Sequence, residues 1–126
     1  MLGNTKVFTT IPSTDLERTR KFYGEKLGLK VLKFDGWGMM LEAGDGSRLF
    51  AYKRGPSKAD HTLASFEVDD IEAKVNEMIK NGIVFEQYDM PEIKTDEKGI
   101  ANGPGGEKSA WFKDPDGNIL AVNQKM

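Results

Sequence analysis

The chain nearly repeats itself, and this constrains its fold more than any other feature. Asp15-Leu16-Glu17 follows a strand-like run over residues 6–11 and opens a helix-like run that ends at Leu27-Gly28. Asp70-Ile71-Glu72 does the same between residues 61–68 and Asn81-Gly82. Each copy continues into strand-like segments and reaches a turn before a last strand, Asp45-Gly46 in one and Asp114-Pro115-Asp116-Gly117 in the other. A period of about half the chain is too long for a solenoid repeat and predicts two βαβββ units.

Length and composition fit that reading. The 126 residues make one domain by the usual size rule, with modules at about residues 5–55 and 60–125. Apolar and charged fractions of 38% and 30% are those of an ordinary soluble globular protein. A net charge of −2 gives no basic stripe for nucleic acid. Cysteine is absent, which removes disulfides, thiol nucleophiles and thiolate metal sites. No run is long and apolar enough for a leader or a membrane span, so the expectation is a cytoplasmic protein that binds neither nucleic acid nor membrane.

Local signals place the elements. In residues 6–11 apolar groups fall on both faces of a strand that Pro12-Ser13-Thr14 ends. Thr14 or Asp15 caps a helix carrying Leu16, Thr19, Phe22, Tyr23 and Leu27, stopped by Gly28. Strands are expected at 29–34, 37–41 and 48–52, joined by Asp-Gly turns. After a linker over residues 54–58, a strand at 62–68 presents His61, Leu63, Ser65 and Glu67 on one side. Asp69 or Asp70 caps the second helix, and a strand follows at 84–88. Residues 90–107 read as a long loop, either a lid or a solvated excursion, before a closing hairpin. The fold class is α+β: two tandem βαβββ modules forming a curved, cleft-enclosing mixed sheet with the helices outside.

Three motifs then carry a family resemblance. Asp15-Leu16-Glu17-Arg18 with Lys21-Phe22-Tyr23 and Leu27-Gly28-Leu29 resembles the first-helix signature of the vicinal oxygen chelate superfamily. Phe66-Glu67-Val68-Asp69-Asp70-Ile71-Glu72-Ala73 resembles its second-module helix entry. The run from Trp111 through Asp114-Pro115-Asp116-Gly117-Asn118 resembles its closing turn. The superfamily comprises glyoxalase, bleomycin-resistance and extradiol-dioxygenase relatives. Its metalloenzymes hold a divalent ion between carboxylates and imidazoles on the first and last strands of each module.

Carried onto this chain, those ligand positions fall on Phe8, on Phe50 or Ala51, on Leu63 and on Ala121. None of these side chains has a donor atom for a metal, so no metal and no cofactor are expected. His61 is the only histidine. It reads as a strand-start residue at the sheet rim, a polar contact to a ligand, or a displaced metal ligand or general base. Glu67 is the other acid–base candidate, with Glu42 a similar polar-edge case.

The predicted ligand-binding set is Phe8, Thr10, Trp37, Tyr52, His61, Leu63, Ser65, Trp111, Ala121 and Asn123, with Met39 as a further wall residue and Ile119 facing inward. That is an aromatic, mostly apolar lining with a few polar groups, suited to a small molecule. The expected function is small-molecule binding without the usual metal, as in antibiotic-binding relatives. The alternative is lyase, isomerase or dioxygenase chemistry at a non-standard site around His61 and Glu67. Relatives of this length commonly pair, so the resemblance also implies a homodimer.

Overall fold

The computed structural model describes residues 1–125, which form two compact units, Met1–Ser57 and the remainder from Lys58. The division falls within the linker expected from the sequence. In the first unit, β1 (Thr9–Ser13), α1 (Leu16–Arg20), β2 (Lys30–Phe34), β3 (Gly38–Glu42) and β4 (Arg48–Lys53) build a four-stranded sheet in the order β1-β4-β3-β2. In the second, β5 (Thr62–Glu67), α2 (Ile71–Lys80), β6 (Ile100–Asn102), β7 (Lys108–Lys113) and β8 (Ile119–Gln124) give the order β5-β8-β7-β6. The two orders are the same topology. In each, the first and last strands pair in parallel and the others antiparallel, so both sheets are mixed and open.

Helix entry is set by a carboxylate in both units. Asp15 and Asp70 accept the backbone N–H groups of Arg18 and Ala73 at 3.1 Å, which resolves both sequence alternatives in favour of the second residue. Each cap satisfies a donor that the first helical turn would otherwise leave unpaired. Gly28 (φ 79°) and Gly82 (φ 91°) end the helices in the left-handed region, where a side chain is disfavoured.

The first helix is less regular than its spacing predicts. After Arg20 the chain widens into a π-helical stretch, Lys21–Lys26, in which the Leu27 N–H reaches the Phe22 carbonyl at 3.0 Å. The wider turn lets Tyr23 be fully buried while the Phe22 ring meets it edge-on at 5.4 Å. An ideal α-helix would have to choose between these adjacent rings for its inner face.

Alternation along the strands sorts each sheet into a helix-covered face and an open face. In the first unit Ile11, Leu41, Leu49, Ala51 and Met39 are buried under the helix. Ser13 shares that side and hydrogen-bonds Thr19 at 2.6 Å, which ties β1 to α1. In the second unit Ala110, Phe112, Leu120 and Val122 are buried with Ile71 and Val75 of α2, and Phe85 packs edge-on against Phe112. Gln124 continues this row and accepts the Ile71 N–H at 2.8 Å. Burying each large aliphatic or aromatic side chain contributes about 1.5–3 kcal/mol.

Several boundaries depart from the sequence expectation. Pro12 and Ser13 lie inside β1 rather than after it. Proline is tolerated there because β1 is an edge strand and pairs on one side only. The expected strand at 84–88 is represented by a single bridge, Phe85 to Phe112. The Glu86 N–H bonds the Trp111 carbonyl, and the edge then resumes at Ile100 opposite Ala110. Residues 87–99 are therefore an excursion out of an interrupted edge strand, and β6 lies inside the stretch expected to be loop. The excursion is ordered by its own bonds. Thr95 donates its N–H to the Tyr88 carbonyl at 3.0 Å, and the Asp96 carboxylate accepts from Lys98 and Ile100.

The Asp114–Asn118 turn is a closed hydrogen-bond network. Asp114 Oδ1 accepts the N–H groups of Asp116 and Asn118 at 2.9 Å, and Oδ2 accepts from the Asn118 amide at 2.8 Å. Asp114 and Asn118 are both buried. Replacing Asp114 with Ala leaves these donors without a partner, so Asp114→Ala should lower unfolding stability by about 2–3 kcal/mol in denaturant melts. An unchanged midpoint would contradict a structural role for the turn.

Candidate functional site

The open face of the second unit is read row by row across the strands. Ser65 on β5, Ala121 on β8 and Trp111 on β7 form one row, and Glu67, Asn123 and Ser109 form the next. Ser109 donates to Asn123 at 2.6 Å. Ile119 shares its row with Thr62 and Lys113. The Tyr88 ring stands edge-on to Trp111, with centroids 5.5 Å apart, just after Glu86 bonds the Trp111 carbonyl and the chain leaves the sheet edge. This is an aromatic corner over a small-residue floor, flanked by hydroxyl and amide groups.

The bulge in β5 changes the expected arrangement of its neighbours. Thr62 pairs with Ile119 and Ala64 with Leu120, leaving Leu63 as the extra residue. Leu63 is half-buried there. The strict alternation that would set His61 beside Leu63 and Ser65 is thereby interrupted. His61 lies before the strand, 69% exposed, with Nδ1 3.6 Å from an Asp60 oxygen. Glu67 stands at the other end of β5, exposed, and accepts from Lys125 Nζ at 2.6 Å. That pairing holds the Lys125 ammonium above its ordinary pKa. His61 and Glu67 thus stand at opposite ends of β5, His61 just before it and Glu67 as its last residue.

In the first unit the open-face rows run Thr10, Phe50, Met40, Lys33 and Pro12, Tyr52, Gly38. Thr10 is exposed, and Tyr52 and Phe50 are half-buried. Phe8 precedes β1 and is 48% exposed, in step with Thr10. Met39 is not a wall residue. It is fully buried under the helix, because its register partner Ala51 faces that way. Trp37 precedes β3 and is 82% exposed. Its backbone is fixed by Asp35, whose Oδ1 accepts the N–H groups of Trp37 and Gly38 at 2.9 and 3.0 Å. Those two bonds lower the Asp35 pKa.

The matching topologies also settle which residue in β4 stands at the metal-ligand position. Ser65 faces Ala121 across a parallel pair, and Thr10 faces Phe50 in the same way. The position is Phe50, whereas Ala51 is buried on the helix side. Phe8, Phe50, Leu63 and Ala121 supply no oxygen, nitrogen or sulfur side-chain donor, so they do not fit a divalent ion of the chelating type. Among the described residues, no three His, Cys, Asp or Glu side chains are grouped as a metal site would require.

Phe50, Gly38 and Tyr88 were not in the binding set expected from sequence. Counting through the duplicated modules could have selected Phe50 over Ala51. Tyr88 carries no comparable signal, since its place depends on where the edge strand breaks off after Glu86.

Paired βαβββ modules with residues at matched positions on the first and last strands define a duplicated chelate-type scaffold. The chain belongs to the glyoxalase/bleomycin resistance protein/dioxygenase superfamily, whose sequence model matches residues 7–122. Among solved structures it is similar to a bleomycin-binding protein complexed with bleomycin, at 25% identity, covering 98% of this chain and 100% of that one, with a TM-score of 0.74. A bleomycin resistance determinant encoded on the transposon Tn5 is similar at 24% identity, 97% and 98% coverage and a TM-score of 0.72. A glyoxalase family protein from Enterococcus faecalis gives 23% identity, 98% and 99% coverage and a TM-score of 0.73. A sequence search of curated proteins found no match.

Tyr88 offers a direct check on the aromatic corner. Its phenol pKa is raised, first by burial and then by the nearby Glu86 carboxylate. Folding thus favours the neutral phenol. Its share of stability is complete below the ordinary tyrosine pKa and is lost as pH rises from there through the raised value. Ultraviolet titration should show tyrosine ionisation above the free range, and Tyr88→Phe should reduce its amplitude. A loss of amplitude in the ordinary tyrosine range instead would place Tyr88 in open solvent.

Proposed function

We propose that this protein binds an organic small molecule, as a carrier or sequestering protein, without a resident metal or cofactor. The observation that carries this reading is the chemistry of the four ligand positions: Phe8, Phe50, Leu63 and Ala121 are apolar, while the scaffold around them is kept. The open faces offer aromatic surface at Phe50, Tyr52, Tyr88 and Trp111 with a few polar groups, the usual make-up of a small-molecule site. Similarity to a bleomycin-binding protein supports the same reading. A catalytic pairing of His61 with Glu67 is the weaker alternative, given their separation along β5.

We also propose a homodimer. Edge strand β2 exposes Leu32 and Phe34, and the first unit also exposes Val7 and Phe8. Such apolar surface beside a sheet edge suits cover by a second subunit.

The test is a thermal-shift and calorimetric screen of chelator-treated protein against aromatic small molecules, with bleomycin among them. Binding to the native state raises the melting temperature, by an amount set by ligand concentration over Kd. At least one compound should raise it equally before and after chelation, and native mass spectrometry should show a dimer. A stabilisation that vanishes with the chelator and returns with a divalent ion would overturn the metal-free reading.

A further inference from the structure

The open face of the second unit carries hydrogen-bond donors that the described residues do not use. Trp111 pairs with Ala121 and Ser109 with Asn123, so Trp111 and Asn123 are diagonal neighbours on this face. Ser109 donates its hydroxyl to Asn123 Oδ1 at 2.6 Å. That bond occupies the acceptor of the carboxamide and leaves its Nδ2 hydrogens as the group on offer. Among the described residues, neither Asn123 Nδ2 nor Trp111 Nε1 has an acceptor. Both side chains are half-buried, and neither nitrogen is sealed from solvent.

The charges at the two ends of this face are matched in sign. Glu67 accepts from Lys125 Nζ at 2.6 Å at one end, and Lys113 Nζ lies 3.5 Å from Glu86 Oε1 at the other. Between them the rows hold Ser65, Ala121 and Trp111, then Asn123 and Ser109, all uncharged. A charged ligand there gives up hydration without a partner of opposite sign, whereas a neutral acceptor gives up little. The aromatic side of the stretch is held in place by Thr95. Its Oγ1 accepts the Tyr88 N–H at 2.9 Å and its own N–H reaches the Tyr88 carbonyl at 3.0 Å, which keeps the Tyr88 ring edge-on to Trp111.

We propose that this face selects uncharged aromatic compounds bearing a carbonyl, such as aryl amides and aryl ketones, with Asn123 Nδ2 donating to the carbonyl and Trp111 contacting the ring. This rests on the small-molecule reading above and goes beyond it by naming the ligand class and the side chain that selects it. Diagonal neighbours on paired strands stand roughly 7–8 Å apart, a span that one ring and its attached carbonyl bridge. Ser109 is the positioning residue, because its bond to Oδ1 decides which end of the carboxamide faces the ligand.

Three probes separate the components: 2-naphthamide (neutral, with an acceptor), 2-naphthoate (the same ring as an anion) and 2-methylnaphthalene (the ring without an acceptor). Titrations followed in proton–nitrogen NMR spectra should rank 2-naphthamide first. In the wild type, 2-naphthamide should move the Trp111 indole N–H and Asn123 side-chain amide signals and leave the Trp37 indole signal in place. Asn123→Leu should weaken 2-naphthamide about tenfold and leave 2-methylnaphthalene unchanged, the size expected for one lost hydrogen bond. Ser109→Ala should weaken 2-naphthamide as well, and Ser109→Thr, which keeps the hydroxyl, should restore it.

Equal binding of 2-naphthamide to the wild type and to Asn123→Leu would overturn the donor role, while the small-molecule function stands. Binding of 2-naphthoate at least as tight as that of 2-naphthamide would overturn the uncharged class. Binding that leaves the Trp111 and Asn123 signals in place would exclude this face. If none of the three probes binds but the broader screen yields a ligand, the proposal fails alone. Failure of that screen as well removes the proposed function itself.

Discussion

The parallel pairing of first and last strands, β1 with β4 and β5 with β8, is the constraint on which the rest of the structure depends. Parallel neighbours cannot be joined by a tight turn, so each unit needs a long connection. Here that connection includes a helix and the remaining strands of the sheet. The helix must begin soon after the first strand and cover one side only. Asp15 and Asp70 fix that beginning, and Ser13–Thr19 and Gln124–Ile71 bind helix to sheet at the same level. The same pairing sets Thr10 beside Phe50 and Ser65 beside Ala121 on the uncovered side. Architecture and candidate site thus come from one set of backbone bonds.

Much of this was legible in the sequence because its signals are local. The Asp caps, the terminating Gly28 and Gly82, and the Asp114–Asn118 turn each act within a few residues. The duplication then supplied long-range order without any contact being visible, because one module predicts the other. What could not be read depends on register between distant segments. The bulge at Leu63 shifts one strand against another by a residue, and nothing in the run from Thr62 to Glu67 announces it. Met39 and Met40 are chemically identical neighbours, yet one is buried and the other shares the Phe50 row. The split edge strand, with β6 emerging beyond residue 99, is a pairing choice made by β7.

The candidate site combines the family's scaffold with apolar side chains at Phe8, Phe50, Leu63 and Ala121. A metal site needs several donors converging within bonding distance. Apolar residues at the same positions impose no such coordination. Under the function proposed above, they leave surface whose selectivity depends on the shape and orientation of a few rings. Fold membership alone therefore does not decide between catalysis and binding, and the side chains at the strand centres do.

The excursion over residues 87–99 leaves the sheet after Glu86 and rejoins it at Ile100 without disturbing β7 or β8. Gly99 marks the return, at φ 91°, where an added Cβ would lie 2.8 Å from that of Phe85. Entry and exit are thus anchored at neighbouring points on one strand, so the span between them behaves as a cassette. Its Asp96 binds the returning Ile100 through backbone and carboxylate, and its Tyr88 ring is presented beside Trp111. The second unit thereby holds, between its helix and its outer strand, a small folded annex where the first unit passes from helix to β2 in three residues.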